Sequence, residues 1–155
     1  MTKLMILNGP NLNMVGIREK NIYGTQSFAG IIQMIKDEAD KRGITVDCRQ
    51  SNHEGDLIDW IHEAYFERYD GIVINPGGYT HTSIALADAV HAIEPLPVVE
   101  VHLSDIQSRE SFRHISYEAP YCAAQISGHG PKGYVEGMDV ILDLLKNKEK
   151  KAETV

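Results

Sequence analysis

Apolar residues in this chain fall in short unbroken runs, separated by stretches where they recur every third or fourth position. The runs are residues 4–8 (LMILN), 44–50 (ITVDCRQ), 71–75 (GIVIN), 98–103 (VVEVHL) and 121–127 (YCAAQIS). Most are closed off by glycine, proline or polar residues, and all have strand length. Between them, Ser27 is a fair N-cap for a helix that places Phe28, Ile31, Ile32, Ile35 and Ala39 at helical spacing. Lys41-Arg42-Gly43 stops it, with cations in the last turn and then glycine. A second helix over about 55–67 sets Leu57, Ile61, Ala64 and Tyr65 on one face. Thr82 or Ser83 can cap a third, which runs to about Ile93 before Pro95 and Pro97 break it. Gly133 opens a last helix with Met138, Ile141, Leu142 and Leu145 on a shared face.

Strands that barely alternate, separated by helices, indicate a parallel sheet covered on both faces. The expected fold is therefore α/β, a three-layer sandwich around a five-stranded parallel sheet of the flavodoxin-like kind, with strand order 2-1-3-4-5. The chain has 155 residues, enough for one domain with a sizeable core. We expect a single domain over 1–145 and a charged C-terminal segment, 146–155, that frays. There is no internal repeat and no linker.

Composition narrows the function classes. Fifteen basic and 22 acidic residues give a net charge of −7, which makes a poor general binder of nucleic acid or of an anionic membrane. An anionic small molecule would need a local positive pocket. No apolar run approaches the roughly 20 residues of a membrane span. The N-terminus reaches Asn8-Gly9 too soon for a signal peptide, so cytoplasm is the expected location. Cys48 and Cys122 lie in strand-like runs and read as buried thiols, not as a disulfide.

In open parallel sheets ligands bind beyond the carboxyl ends of the strands, near the topological switch point. Asn8-Gly9-Pro10-Asn11 leaves the first strand, Asn75-Pro76-Gly77-Gly78 with Thr80-His81 leaves the third, and Glu100-Val101-His102 ends the fourth. In the expected order these three strands are neighbours, so Asn11, Asn75, His81 and His102 meet in one crevice. Each also has an ordinary use. Asparagine and glycine make turns, Thr80 to Ser83 reads as a helix cap, and a histidine at a strand end is often solvated. Their joint placement is the stronger signal. His81, His91, His102 and His114 fall on different elements without HxH, HExxH or CxxC spacing, so no metal site is expected. The loop 9–16 lacks the glycine spacing and lysine of a P-loop, which weighs against a nucleotide.

The connection 9–26 is long for a compact domain, and such connections are usually functional or mobile. It carries Arg18, Glu19 and Tyr23. A guanidinium near a phenol, whose ordinary pKa is about 10, favours the phenolate. A tyrosine so activated can act as a general base without metal or cofactor, from a lid that excludes water.

These segments together resemble the type II 3-dehydroquinate dehydratases (type II dehydroquinases). The resemblance rests on NGPNLNMVGIREKNIYG (8–24), RQSNHEGDLIDWIH (49–62), INPGGYTHTSIALADA (74–89), VVEVHLSDIQSRESFRHIS (98–116) and GY (133–134). Lys20 stands where the family usually has proline, and Asp105 and Gln107 replace the commoner asparagine and histidine. The resemblance implies dehydration of 3-dehydroquinate to 3-dehydroshikimate in the shikimate pathway, by anti elimination through an enolate. No cofactor, metal or Schiff-base lysine takes part. It implies Tyr23 as the base, Arg18 as the cation that holds it ionised, and Asn11 and Asn75 around a water that stabilises the enolate. His102 becomes the acid for the departing hydroxyl, with Glu100 orienting it. The amides of Leu103 and Ser104 would hold the substrate carboxylate, and His81, Arg113 and Asp88 its hydroxyls, Asp88 reaching in from a neighbouring subunit. The implied assembly is a homododecamer, a tetramer of trimers.

Two other readings differ in class. One is a flavodoxin-like hydrolase or phosphotransferase using His102 and an aspartate, although no acidic pair follows the first strand. The other is a non-enzymatic module, a small-molecule sensor or a partner-binding domain, which would need no acid and base around one crevice.

Overall fold

The computed structural model describes residues 1–17 and 26–153. Five strands form one all-parallel sheet: β1 (Lys3–Asn8), β2 (Thr45–Gln50), β3 (Gly71–Asn75), β4 (Val98–His102) and β5 (Ala124–Ser127). Their order is β2-β1-β3-β4-β5, the flavodoxin-like order expected from the sequence. Four helices cover it: α1 (Phe28–Lys41), α2 (Glu54–Phe66), α3 (Ile84–Ala92) and α4 (Lys132–Glu153).

Successive strand residues point to opposite faces, and this sorts the core into two halves. Leu4, Ile6, Val73, Val99 and Val101 pack with Ile31, Ile35 and Ala39 of α1 and Met138 and Ile141 of α4. Met5, Leu7, Ile72, Ile74 and Val98 pack with Leu57, Ile61 and Ala64 of α2 and Leu86, Ala89 and Val90 of α3. β1, β3 and β4 run through the middle, and apart from Lys3 all their residues are buried. Such strands have no wet face and cannot alternate. β2 and β5 are the half-exposed edges.

Several boundaries move. Ser83, not Thr82, caps α3, accepting from the Leu86 amide at 2.9 Å. Ser27 caps α1 as expected, accepting from the Gly30 amide. Tyr65 lies half-exposed outside the apolar face of α2. β5 starts at Ala124 and not at Tyr121, because Ala119–Tyr121, with Pro120, form a 3-10 turn. Cys122 therefore precedes the strand. Cys48 and Cys122 are free and half-buried. Burial pushes the Cys48 thiol up to about 11 and the Cys122 thiol up as well, helped by the negative charges of Glu100 and Glu118. The charged segment expected to fray from Lys146 continues α4 as far as Glu153. Lysine, glutamate and alanine are good helix formers, and the two lysines of the last turn suit the negative end of the helix dipole.

One buried polar contact ties α4 to the sheet. The Tyr134 hydroxyl donates to Asn8 Oδ1 at 2.5 Å and accepts from Asn75 Nδ2 at 3.1 Å. Asn8 and Asn75 are register partners at the ends of β1 and β3, so one phenol holds both strand ends. Tyr134→Phe keeps the ring and leaves both amides short of a partner. We expect it to lower stability by about 1–3 kcal/mol, the usual cost of stranding a buried polar group, measured as a reduced midpoint with unchanged slope in urea unfolding.

Candidate active site

The carboxyl ends of β1, β3 and β4 open into a cavity of about 460 Å³. Gly9 makes that end possible: a Cβ there would sit 2.4 Å from the Pro76 carbonyl oxygen, so the chain leaving β1 can pass the chain leaving β3 only as glycine. The Gly9 amide donates to the Asn75 carbonyl at 2.8 Å. Asn11 follows in the left-handed region, φ 69°, which asparagine tolerates better than most residues. Its amide donates to Asn52 Oδ1 at 3.0 Å. Gly77, also left-handed at φ 61°, turns the chain out of β3, and its amide donates to Asn75 Oδ1 at 3.1 Å. With its Nδ2 on Tyr134, the Asn75 side chain is held at both ends.

Glu100 and His102 lie two apart on β4 and so share a face. There they replace the apolar residues that the α2/α3 side of the sheet carries elsewhere. Glu100 has no exposure to solvent. Its Oε2 accepts from His102 Nε2 at 2.5 Å, Thr80 Oγ1 at 3.1 Å and Gln125 Nε2 at 3.0 Å, and its Oε1 accepts from Ser116 Oγ at 2.6 Å. Burial alone would push this carboxyl up. The hydrogen bond and charge of His102, with Ser116 and Gln125, outweigh burial and hold it below the ordinary carboxylate range. An ionised carboxylate only accepts, so His102 Nε2 carries the proton in this contact.

His102 lines the cavity, with Glu100 behind it. His81 stacks near it, ring centroids 6.3 Å apart. His81 Nδ1 donates to the Ile115 carbonyl at 2.7 Å. Burial keeps His81 below the ordinary histidine range, against that hydrogen bond and with the help of the His102 and Arg113 charges. It is a neutral donor–acceptor beside a histidine tied to a carboxylate. Arg109 and Arg113 complete a basic wall, the local positive pocket that an acidic chain needs for an anion. Arg113 Nε also donates to the exposed Glu110 at 2.8 Å.

Among the expected site residues, Asn11, Asn75, His81, His102, Leu103, Ser104 and Arg113 all line this cavity. Glu100 reaches it only through His102. Asp88 does not line it; it sits exposed on α3. Arg18 and Tyr23 lie outside the described residues. Asp105 accepts from the Gln107 amide at 2.9 Å, and Gln107 Nε2 donates to the His114 carbonyl at 2.9 Å. These two departures from the usual family residues thus brace the loop after β4. Sequence reasoning missed Thr80 as anything but a cap, and it missed Ser116, Gln125, Arg109 and Tyr134. Ser116, Arg109 and Tyr134 fall inside the quoted motifs, but nothing local marks a serine or glutamine as the partner of a buried carboxylate. Among the described residues no three of His, Cys, Asp and Glu converge as a metal would require. His91 pairs with Glu94 at 3.3 Å, and His114 Nε2 contacts the Arg109 carbonyl at 2.9 Å.

Known proteins carry the same arrangement of chain. The family profile described as Dehydroquinase class II matches residues 2–142. A 3-dehydroquinate dehydratase of Clostridium perfringens (strain 13 / Type A) is 55% identical over 146 residues, covering 94% of this chain and 99% of that protein. One from Caldicellulosiruptor bescii is 50% identical over 145 residues, with the same coverage of both chains. The crystal structure of type II dehydroquinase from Butyrivibrio crossotus DSM 2876 superposes with a TM-score of 0.89 at 50% identity, covering 90% of this chain and 97% of that one. With the family profile over residues 2–142, relatives at 50–55% identity and a superposing crystal structure in agreement, the chain belongs to the class II dehydroquinase family.

Proposed function

We propose that the protein dehydrates 3-dehydroquinate to 3-dehydroshikimate, in the cytoplasm and as a step of the shikimate pathway. The observation that carries this reading is the buried Glu100–His102 pair opening onto a basic, asparagine-lined cavity in a chain of this family. The reaction removes a proton next to a ketone and a hydroxyl from the adjoining carbon. It needs a base, a stabiliser for the enolate, and an acid for a poor leaving group.

His102 is the acid. Glu100 holds its Nε2 proton, which leaves Nδ1 of the imidazolium to protonate the leaving hydroxyl. The C–O bond then breaks, water departs, and the enolate electrons form the new C=C as the ketone returns. Tyr23 is the base that takes the proton to give the enolate, and Arg18 favours its phenolate. Removal and departure on opposite faces of the ring make the elimination anti. Asn11 and Asn75 position a water on the enolate oxygen. Asn75 suits the task because Tyr134 and the Gly77 amide hold its side chain. A pre-oriented group costs nothing to reorganise as charge develops. The Leu103 and Ser104 amides take the substrate carboxylate, and Arg113 and His81 take its hydroxyls.

Asp88 serves a neighbouring subunit's site. It is exposed and stands on a helix that carries it away from its own cavity. Ile84, Phe112, Ile115 and Tyr117, on α3 and near the cavity, are large and exposed, as befits surface that another subunit covers. The assembly is the homododecamer of four trimers.

The direct test is conversion of dehydroquinate, followed through the enone absorbance of the product. No conversion of dehydroquinate would favour the other readings: the hydrolase or phosphotransferase where chelator-sensitive activity on another substrate is found, the sensor or partner-binding domain where none is. Tyr23→Phe and His102→Ala are each expected to lower kcat by about 10²–10⁴-fold with the fold intact by circular dichroism. Residual activity within about tenfold of wild type removes that residue from its role. For Asp88, a Tyr23→Phe chain is mixed with an Asp88→Ala chain under conditions where subunits exchange. Activity should partly return, because some mixed sites then hold both residues intact. An exchanged mixture that stays inactive assigns Asp88 to its own subunit.

A further inference from the structure

Glu118 is a second buried carboxyl beside the first. It has no exposure to solvent, and neither carboxyl oxygen has a hydrogen-bond partner among the described residues. Both oxygens are sealed inside the chain, so a partner subunit cannot reach them. The backbone around Glu118 is clamped to the acid–base cluster: the Tyr117 amide donates to the Thr80 carbonyl at 2.9 Å, and Ser116 Oγ accepts from the Ala119 amide at 3.1 Å while donating to Glu100. Thr80 has one hydroxyl proton, and Glu100 Oε2 receives it. Glu118 thus stands next to an ionised carboxylate, and the Thr80 hydroxyl and the local backbone amide oppose its raised value without offsetting burial and the Glu100 charge.

We propose that Glu118 is a positioning residue for the Glu100–His102 pair, carried as a neutral carboxylic acid that leaves Glu100 the single negative charge of the cluster. This rests on the reading of His102 as the acid. Burial, and then the negative charge of Glu100, push the Glu118 carboxyl up to about 8. The charged and titratable groups around it bear this out. Glu100 acts on it from β4, with His102 bound to Glu100 and His81 stacked near His102. Cys122, on its own loop, is raised further once Glu118 ionises, and from α3 His91 lies against the Tyr121 ring. Among the described residues no cation hydrogen-bonds its carboxyl. When Glu118 ionises, a second negative charge appears beside the Glu100–His102 pair and changes the proton transfer to the leaving hydroxyl.

The sign for stability follows from the same raised value. The folded state keeps a proton that the unfolded chain releases near the ordinary carboxyl range, about 4.3. The stabilisation from Glu118 is full below that range and is lost as pH rises toward about 8.

The test compares wild type with Glu118→Gln, which keeps shape and neutrality but cannot ionise. The ratio of kcat at about pH 9 to kcat at about pH 6.5 is expected to differ between the two proteins by at least about threefold, the size of about half a pK unit. Superposable profiles overturn the proposal. Carbon-13 NMR of glutamate carboxyls in the wild-type protein decides independently of activity and of how the variant folds. One carboxyl is expected to titrate far above the rest, and its signal to be missing in Glu118→Gln. A wild-type protein in which every carboxyl has titrated below about pH 6 refutes the neutral acid. If dehydroquinate is not turned over at all, the reading of the reaction fails while the NMR result still decides the state of Glu118.

Discussion

A carboxylate with no access to water stays ionised only where hydrogen bonds replace its hydration. Glu100 is such a group, and the architecture around it is arranged to supply donors. Thr80 comes from the turn after β3, His102 from β4 itself, Ser116 from the long connection before β5, and Gln125 from β5, where it is the register partner of Glu100. Four separate segments are thereby fixed relative to one another. His102, held through one ring nitrogen, is left with the other available at the cavity. The same requirement explains why the segment 103–123, built only of short 3-10 turns and loops, is still held in place: Ser116 and the Tyr117 amide tie it to Glu100 and Thr80.

A second polar cluster sits on the opposite face of the sheet. Asn8 and Asn75 point toward α1 and α4, where Tyr134 joins them. Strand pleat puts the acid–base pair on one side and the amide pair on the other. Only beyond the strand ends, where the sheet no longer separates them, can both reach one cavity. Parallel pairing aligns those ends, and Gly9 and Gly77 let the two exits pass close together. Position within the fold thus accounts for the mixture of charged, amide and histidine groups around a single space.

The chain is acidic overall, yet the cavity wall carries Arg109, Arg113 and two histidines. Net charge governs long-range behaviour, whereas a ligand meets the local field. The exposed acids lie mainly on helix surfaces, and the buried ones, Glu100 and Glu118, are turned inward behind the histidine.

Much of this was legible in the chain itself. Uninterrupted apolar runs identified β1, β3 and β4, because a strand covered on both faces has no polar side to betray it. Ser27 and Lys41-Arg42-Gly43 delimited α1, because caps and glycine stops act locally. The motifs named the family, and Asn11, Asn75, His81 and His102 could be assigned to one crevice from strand order alone. What local pattern could not reach were pairings between distant segments: Ser116 and Gln125 on Glu100, Tyr134 on Asn8 and Asn75, and the isolation of Glu118. A serine, a glutamine or a glutamate has the same local signature whether it faces water or a buried ion. The sequence by itself determined the elements, their order and the chemistry gathered at one end of the sheet. The tertiary structure alone decided which polar groups lost their water, because desolvation depends on what packs around a side chain and not on its neighbours in the chain.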